Sequence, residues 1–241
     1  MHRRRFLQMG SLGAGGIFLS KNIKAQSASG NKITVKPLVI STWDAGVAAN
    51  EAAWKILSNG GRALDAVEHG VMVTESSINC CVGLGANPDR DGIVTLDASI
   101  MDEHGNAGAV AALERIKHPI SVARKVMELT PHVLLAGAGA QEFAVQQGFP
   151  LEPQKLSEEA EESYKKWLKK SKYEPEMNIE RNEGKSNGQS AFAPMKLANG
   201  NWNHDTIGML AIDTNGNLSG SCTTSGMGFK VRGRVGDSPC I

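Results

Sequence analysis

Residues 202–226 read WNHDTIGMLAIDTNGNLSGSCTTSG. A polar lead-in ends at His204-Asp205, and an apolar run begins on Thr206. Thr is β-branched and suits a strand. Asn215-Gly216 is a turn signal between this run and a second one ending near Thr224, so the stretch predicts a β-hairpin. A two-residue loop sets Thr206 opposite Ser225, and a three-residue loop over 214–216 sets it opposite Thr224. The sequence leaves these two registers open. In either one the hydroxyls of Thr223, Thr224 or Ser225 return beside Thr206.

That juxtaposition supports chemistry once the chain is cut between Asp205 and Thr206. The Thr206 hydroxyl attacks the carbonyl of Asp205, turning an amide into an ester that water opens. The freed Thr206 then joins nucleophile and base in one residue. Its α-amino group, with a pKa of about 7.7–8.0, accepts the hydroxyl proton near neutral pH. No triad, metal or cofactor is required, and none is expected. Downstream, GRVGDSP holds Arg234 and Asp237 in a glycine-rich loop. A guanidinium and a carboxylate so placed match the α-carboxylate and α-ammonium of a free amino acid. A local salt bridge between the two is the structural alternative.

The 241 residues are 41% hydrophobic and 21% charged, an ordinary globular composition with room for one sizeable core. The formal charge of +1 misleads, because Arg3, Arg4, Arg5, Lys21 and Lys24 crowd the N-terminus and acids outnumber bases in the rest. The basic run KKWLKKSK at 165–172 reads as a solvated helix face, and nucleic acid is not an expected partner. Residues 1–27 combine an arginine run, a short Gly-rich apolar stretch and small residues. They are built like a signal peptide of the twin-arginine type, too short in its apolar part to span a bilayer. The mature protein is therefore expected in the periplasm or outside the cell, with no membrane partner. Cys80 and Cys81 are adjacent, a spacing that bridges only with strain; with Cys222 and Cys240 they read as thiols, one disulfide being open to them after export.

Elsewhere, strand-like and helical patterns alternate. Residues 33–42, 93–100, 107–113 and 133–136 read as strands, the second and third joined through DEHGN. Residues 48–57, 63–74, 121–128, 140–148 and 157–170 have helical spacing. The loop GLGANPDRDG lacks both the Lys-Ser/Thr ending of a P-loop and GxGxxG spacing, so it reads as a turn without a cofactor. Residues 174–203 turn polar and read as a flexible connection.

HDTIGM, GNLSG, CTTSG and GRVGDSP, with STWDAG, GGRALDAVEHGV, PDRDGIVTLDASIMDE, HPISVARKVMELTPHVLLAG and EFAVQQGF upstream, resemble the glycosylasparaginase (aspartylglucosaminidase) family of N-terminal nucleophile hydrolases. The match covers most of residues 38–241. Plant-type asparaginases share that fold, but Gly usually precedes their nucleophile; His204-Asp205 and Met209 favour the glycosylasparaginase branch. The resemblance implies an α+β fold, a four-layer αββα sandwich, incomplete here. It implies a signal peptide over 1–27, an α-chain over 28–205 and the start of a β-chain over 206–241, with autocleavage at His204, Asp205 and Thr206.

By the same resemblance Thr206 is the nucleophile and Thr224 the hydroxyl beside it. Arg234 and Asp237 hold the asparagine moiety, and Trp43 shapes the site. The implied substrate is a small glycosylasparagine, split into aspartate and the glycosylamine, and the implied assembly is a homo-oligomer of cleaved α/β heterodimers. L-asparaginase or isoaspartyl peptidase activity, or an inactive truncated remnant, are the other classes considered. The chain departs from the family pattern at Ala45, where bacterial relatives carry an aromatic residue, and at Cys81, where they carry Ser. It stops inside the motif after GDSP, short of the family's oxyanion-supplying Thr-Gly segment, so it is expected to be either a fragment of a longer protein or a truncated product.

The export reading has a direct check. Replacing Arg3, Arg4 and Arg5 together with Lys is expected to retain the protein in the cytoplasm, measured by cell fractionation; unchanged periplasmic delivery contradicts a twin-arginine signal.

Overall fold

The computed structural model describes residues 36–79, 81–170 and 206–240. In chain order these form β1 (Leu38–Ser41), α1 (Gly46–Leu57), α2 (Ala63–Ser76), β2 (Leu96–Met101), β3 (Ala107–Leu113), α3 (Pro119–Leu129), β4 (Leu134–Ala136), α4 (Gly137–Gln146), α5 (Glu158–Lys170), β5 (Thr206–Ile212) and β6 (Leu218–Thr224). The signal peptide, Cys80, the connection over 174–203, His204 and Asp205 lie outside the described residues.

The six strands make one sheet in the order β1-β5-β6-β2-β3-β4. All neighbours are antiparallel except β3 and β4. The predicted hairpin therefore lies inside the sheet, not at its edge. Alternation assigns its two faces. Ile207, Met209 and Ala211 of β5 are buried against a helical layer that contributes Ala49, Ala53, Leu64, Val67, Val71, Ile120, Ala123 and Val126 to the same core. Gly70 lets α2 lie this close to β5, since a Cβ there would stand 2.5 Å from the Met209 sulfur.

The opposite face is apolar and open. Leu38, Ile40, Met101, Leu210 and Leu218 are between 39% and 57% exposed. Register places Ile40 opposite Leu210 and Leu38 opposite Ile212, so these side chains continue from strand to strand. The described residues thus supply a helical layer and one sheet of an α+β fold, and the open face has the chemistry that a second sheet packs against in a sandwich. Among the described residues no helix is long and apolar enough to cross a membrane.

Two turns of the same build hold the sheet in register. In DTNGN, Asp213 Oδ1 accepts from the N–H groups of Asn215 and Asn217, and Oδ2 accepts from the Asn217 amide. In DEHGN, Asp102 does the same with His104 and Asn106. Gly216 and Gly105 take φ values of 85° and 79°, the left-handed position that a three-residue hairpin loop assigns to glycine. The loop over 214–216 therefore decides the register that the Asn-Gly signal left open. Both turns also reach α2: Arg62 bridges Asp102 and Glu103, and Asp213 Oδ2 accepts the Ala63 N–H.

Other expectations hold with shifted edges. Residues 93–95 leave the strand, because Asp89 draws the chain into a loop by accepting from the N–H groups of Asp91 and Ile93. Residues 165–170 of the basic run lie on α5, where Lys165 and Lys166 are solvated partners of Glu161 and Glu162. Trp167 instead stacks on Phe229, with ring centroids 5.1 Å apart. The glycine-rich loop is followed by β2 and not by a helix, so it lacks the N-terminus that would cradle a phosphate.

Burial alone would raise the Asp213 carboxyl, but the bonds from Asn217, Asn215 and Ala63 hold it below its ordinary value. A lowered carboxylate stabilises the fold above the ordinary Asp range, and that stability is lost as pH falls through the folded value. Asp213→Asn turns an amide toward two N–H donors and is expected to cost about 1–3 kcal/mol at neutral pH. Urea midpoints measured against pH should also show a shallower acid-side loss than in the parent; an unchanged acid profile contradicts this role.

Candidate functional site

At the end of the sheet where β5 begins and β6 stops, Thr206 stands directly opposite Thr224. Thr224 in turn stands opposite Asp97 of β2. The three side chains form a row across three strands on the face away from the helical layer, with directly opposed Cβ atoms about 4.5–5.5 Å apart. Thr206 is half-buried, whereas Thr224 and Asp97 are buried. Asp97 Oδ1 accepts the N–H of Ala112 at 2.8 Å, while Oδ2 has no hydrogen-bond partner among the described residues.

The loop after β6 returns over this row. Ser238 Oγ lies 3.5 Å from Thr206 Oγ1, and the Ser238 carbonyl accepts from Ser99 Oγ at 2.6 Å, which ties the loop to β2. Gly226 N–H donates to Thr224 Oγ1 at 2.7 Å. Ser225 donates through Oγ and N–H to the Cys81 carbonyl, fixing the end of β6 to the loop after α2. Thr223 points the other way, donating to Glu75 Oε1 at 2.7 Å. Glu75 also meets His118 and the Ile120 N–H, so one carboxyl joins α2, α3 and β6. Burial pushes that carboxyl above its ordinary value, against the bonds from His118 and Thr223.

Arg234 and Asp237 are the residues expected to clamp an amino acid. Arg234 and Asp237 are both exposed. Among the described residues no ion pair joins Arg234 to Asp237 or to another acid, so the local salt bridge permitted by their spacing is not made. Arg234 Nη1 comes 3.4 Å from where a Cβ on Gly226 would sit and 3.0 Å from the same point on Gly236. Two glycines thus let the guanidinium lie along the loop past Gly226 and Gly236. Asp237 borders Ser238, and its charge reaches Cys222: burial raises that thiol, Asp237 raises it further and a Ser238 hydrogen bond opposes them.

Trp43 is brought to the same end. Thr42 N–H donates to the Gly208 carbonyl, and Gly208 N–H donates to Thr42 Oγ1, both at 3.0 Å. Trp43 follows at φ 65°, half exposed, beside the start of β5. The structure therefore gathers Thr206, Thr224, Trp43, Arg234 and Asp237, while His204 and Asp205 lie outside the described residues. Among those residues no group of His, Cys, Asp or Glu is placed to hold a metal. Cys81 is in a disulfide, the alternative that the sequence left open beside four thiols, while Cys222 and Cys240 are free.

Sequence reasoning missed Ser238, Asp97 and Glu75. Asp97 and Glu75 carry a visible signal, an acid inside an otherwise apolar strand or helix pattern, where an unpaired charge is costly. Ser238 carries none, since its place over Thr206 depends on the path of the loop.

A sequence model of the asparaginase family matches residues 30–241. An N(4)-(Beta-N-acetylglucosaminyl)-L-asparaginase from Elizabethkingia miricola is 56% identical over 211 residues, covering 87% of this chain and 55% of that protein. A mouse (Mus musculus) protein of the same name is 40% identical over 215 residues, 84% of this chain and 61% of its own length. A rat (Rattus norvegicus) isoaspartyl peptidase/L-asparaginase is 41% identical over 190 residues, 78% of this chain and 51% of its own. The chain spans little more than half the length of these relatives.

Proposed function

The chain belongs to the asparaginase family, and on that premise we propose that it is the N-terminal part of an autocleaving glycosylasparaginase with Thr206 as its nucleophile. The observation that carries this reading is the pairing of Thr206 with Thr224 at the sheet end where Arg234 has no acidic partner among the described residues. The names of the Elizabethkingia miricola and mouse relatives support a glycosylasparagine substrate. The relatives named as isoaspartyl peptidases support a second activity at the same site, because the amino-acid clamp serves both substrates.

Maturation begins with Thr206 Oγ1 attacking the Asp205 carbonyl carbon. The C–N bond breaks, the nitrogen takes up a proton as the α-amine of Thr206, and water hydrolyses the resulting ester. In turnover the same oxygen attacks the side-chain amide carbon of the asparagine, and its proton passes to the α-amine. Collapse of the tetrahedral intermediate releases the glycosylamine and leaves an aspartyl ester on Thr206, which water opens to aspartate. Arg234 fixes the α-carboxylate by a two-pronged charge-assisted contact, Asp237 receives the α-ammonium, and Trp43 helps shape the site. Thr224 supplies a hydroxyl beside the developing charge, a kind of donor whose removal costs about 10²–10³ in rate.

The same reading includes export to the periplasm or beyond through residues 1–27, and assembly of the cleaved chains into a homo-oligomer. The arginine run supports the first; the apolar sheet face, which needs covering, is consistent with a larger assembled protein.

Intact mass spectrometry of the full-length protein tests the cut. The expected result is two chains, the second beginning Thr-Ile-Gly-Met, with Thr206→Ala giving one uncut, inactive chain and Thr206→Ser still cutting. An active, uncut wild type would end this mechanism.

Arg234→Ala separates binding from maturation. It should still cut at Thr206 while kcat/KM for glycosylasparagine falls by about 10²-fold or more, as expected when a charged partner is removed from a bound ion. Turnover at the parental level contradicts the clamp.

A further inference from the structure

Under Gly226 lies a buried ammonium to which the mechanism above gives no part. Lys230 is only 3% exposed, and burying an ammonium is costly. Its Nζ donates to the Ser225 carbonyl oxygen at 2.6 Å. That carbonyl and the Gly226 N–H belong to one peptide, and the N–H donates to Thr224 Oγ1 at 2.7 Å. The groups form one directed chain, from ammonium to carbonyl and from amide to hydroxyl oxygen.

A cation on a peptide carbonyl draws electron density through the amide and strengthens its N–H as a donor. Hydrogen bonds in series polarise one another, the more so away from water. With its oxygen held by the Gly226 amide, the Thr224 hydroxyl has its own proton turned elsewhere and made a better donor. Thr206 is the residue directly opposite it.

The surroundings fix the ammonium in place. Phe229 N–H donates to the Pro88 carbonyl at 2.7 Å, and Arg90 N–H donates to the Lys230 carbonyl at 2.9 Å. The Phe229 ring stacks on Trp167 and Tyr164 of α5, and the Tyr164 hydroxyl donates to the Arg90 carbonyl at 2.8 Å. Gly226 has φ +70°, and a Cβ there would meet Lys230 Nζ at 3.0 Å and Asp97 Oδ2 at 3.8 Å. A buried carboxylate and a buried ammonium thus converge on one glycine. The loop has no side chain there to separate Lys230 Nζ from the peptide it donates to.

We propose that Lys230 is a positioning residue of the Thr206 reaction: acting through the Ser225–Gly226 peptide, it orients and polarises the Thr224 hydroxyl toward the oxygen that becomes negative when Thr206 attacks. The inference rests on the reading of Thr206 as nucleophile. It adds no covalent step, and the Lys230 proton stays on nitrogen throughout.

A double-mutant cycle in the full-length protein tests it, read on kcat and KM for glycosylasparagine and on the rate of the cut at Thr206. Lys230→Met removes the charge at similar length and is expected to lower kcat about 10- to 100-fold, in the range of a lost transition-state donor. KM should change by less than about twofold, and Lys230→Arg should recover part of the loss. In a Thr224→Ala background the Lys230→Met loss should disappear, because the chain then ends on nothing. Losses that multiply in the double variant, or an effect confined to KM, overturn the proposal. If Lys230→Met does not fold, Lys230→Gln, which keeps a neutral donor, takes its place in the same cycle, and an unchanged kcat there also overturns it. A wild type that cuts itself but leaves glycosylasparagine intact refutes the substrate reading alone; the cycle on the cut then decides the role of Lys230.

Discussion

The Asp213 carboxylate, bonded to three N–H groups of its own turn and to the first N–H of α2, sets the geometry on which the proposed site depends. A hairpin has a side-chain period of two, so a slip of one residue would move every side chain of β5 or β6 to the other face. With the turn closed around three residues, Thr206 meets Thr224, and Ile207, Met209 and Ala211 all enter the core. The register that buries the strand is the register that pairs the hydroxyls. Stability and chemistry therefore select the same alignment.

The far end of β6 is secured separately. Thr223 is pulled toward the helices by Glu75, while Ser225 is held by the Cys81 carbonyl and Lys230. Thr224 lies between these anchors with its side chain on the other face. The helical layer thus acts on the site without touching it: Glu75 also binds His118 and the start of α3, so the position of Thr224 is referred to two helices. Deep, fully bonded polar groups of this kind specify a single arrangement, because leaving any member unpaired is costly. The opposite face, carrying Leu38, Ile40, Leu210 and Leu218, remains apolar and exposed.

Much of this was legible in the residues. Helical and strand periods located the elements, and the alternation of β5 identified its buried side. The catalytic hypothesis came from the polar-to-apolar junction at Thr206 joined to an Arg–Asp loop. The hairpin register was not legible, because Asn-Gly serves both two- and three-residue loops; the tie from Asp213 that decides it is a contact between side chain and backbone. Lys230 was hidden for a related reason. A lysine in a loop is ordinarily solvated, and only the fold of the loop onto Pro88 and Trp167 buries it. Ser238 likewise comes over Thr206 only through the bond between its carbonyl and Ser99, a residue far away in sequence.

In the proposed mechanism the Thr206 oxygen bonds covalently to the aspartyl group during turnover, beside the Thr224 hydroxyl. Rapid acid quench of the full-length protein mixed with glycosylasparagine, followed by peptide mass spectrometry, addresses it directly. An aspartyl ester on the peptide beginning Thr-Ile-Gly-Met, located on Thr206, is the expected result. Turnover with Thr206 unmodified at every quench time and the aspartyl group on a different residue would contradict it.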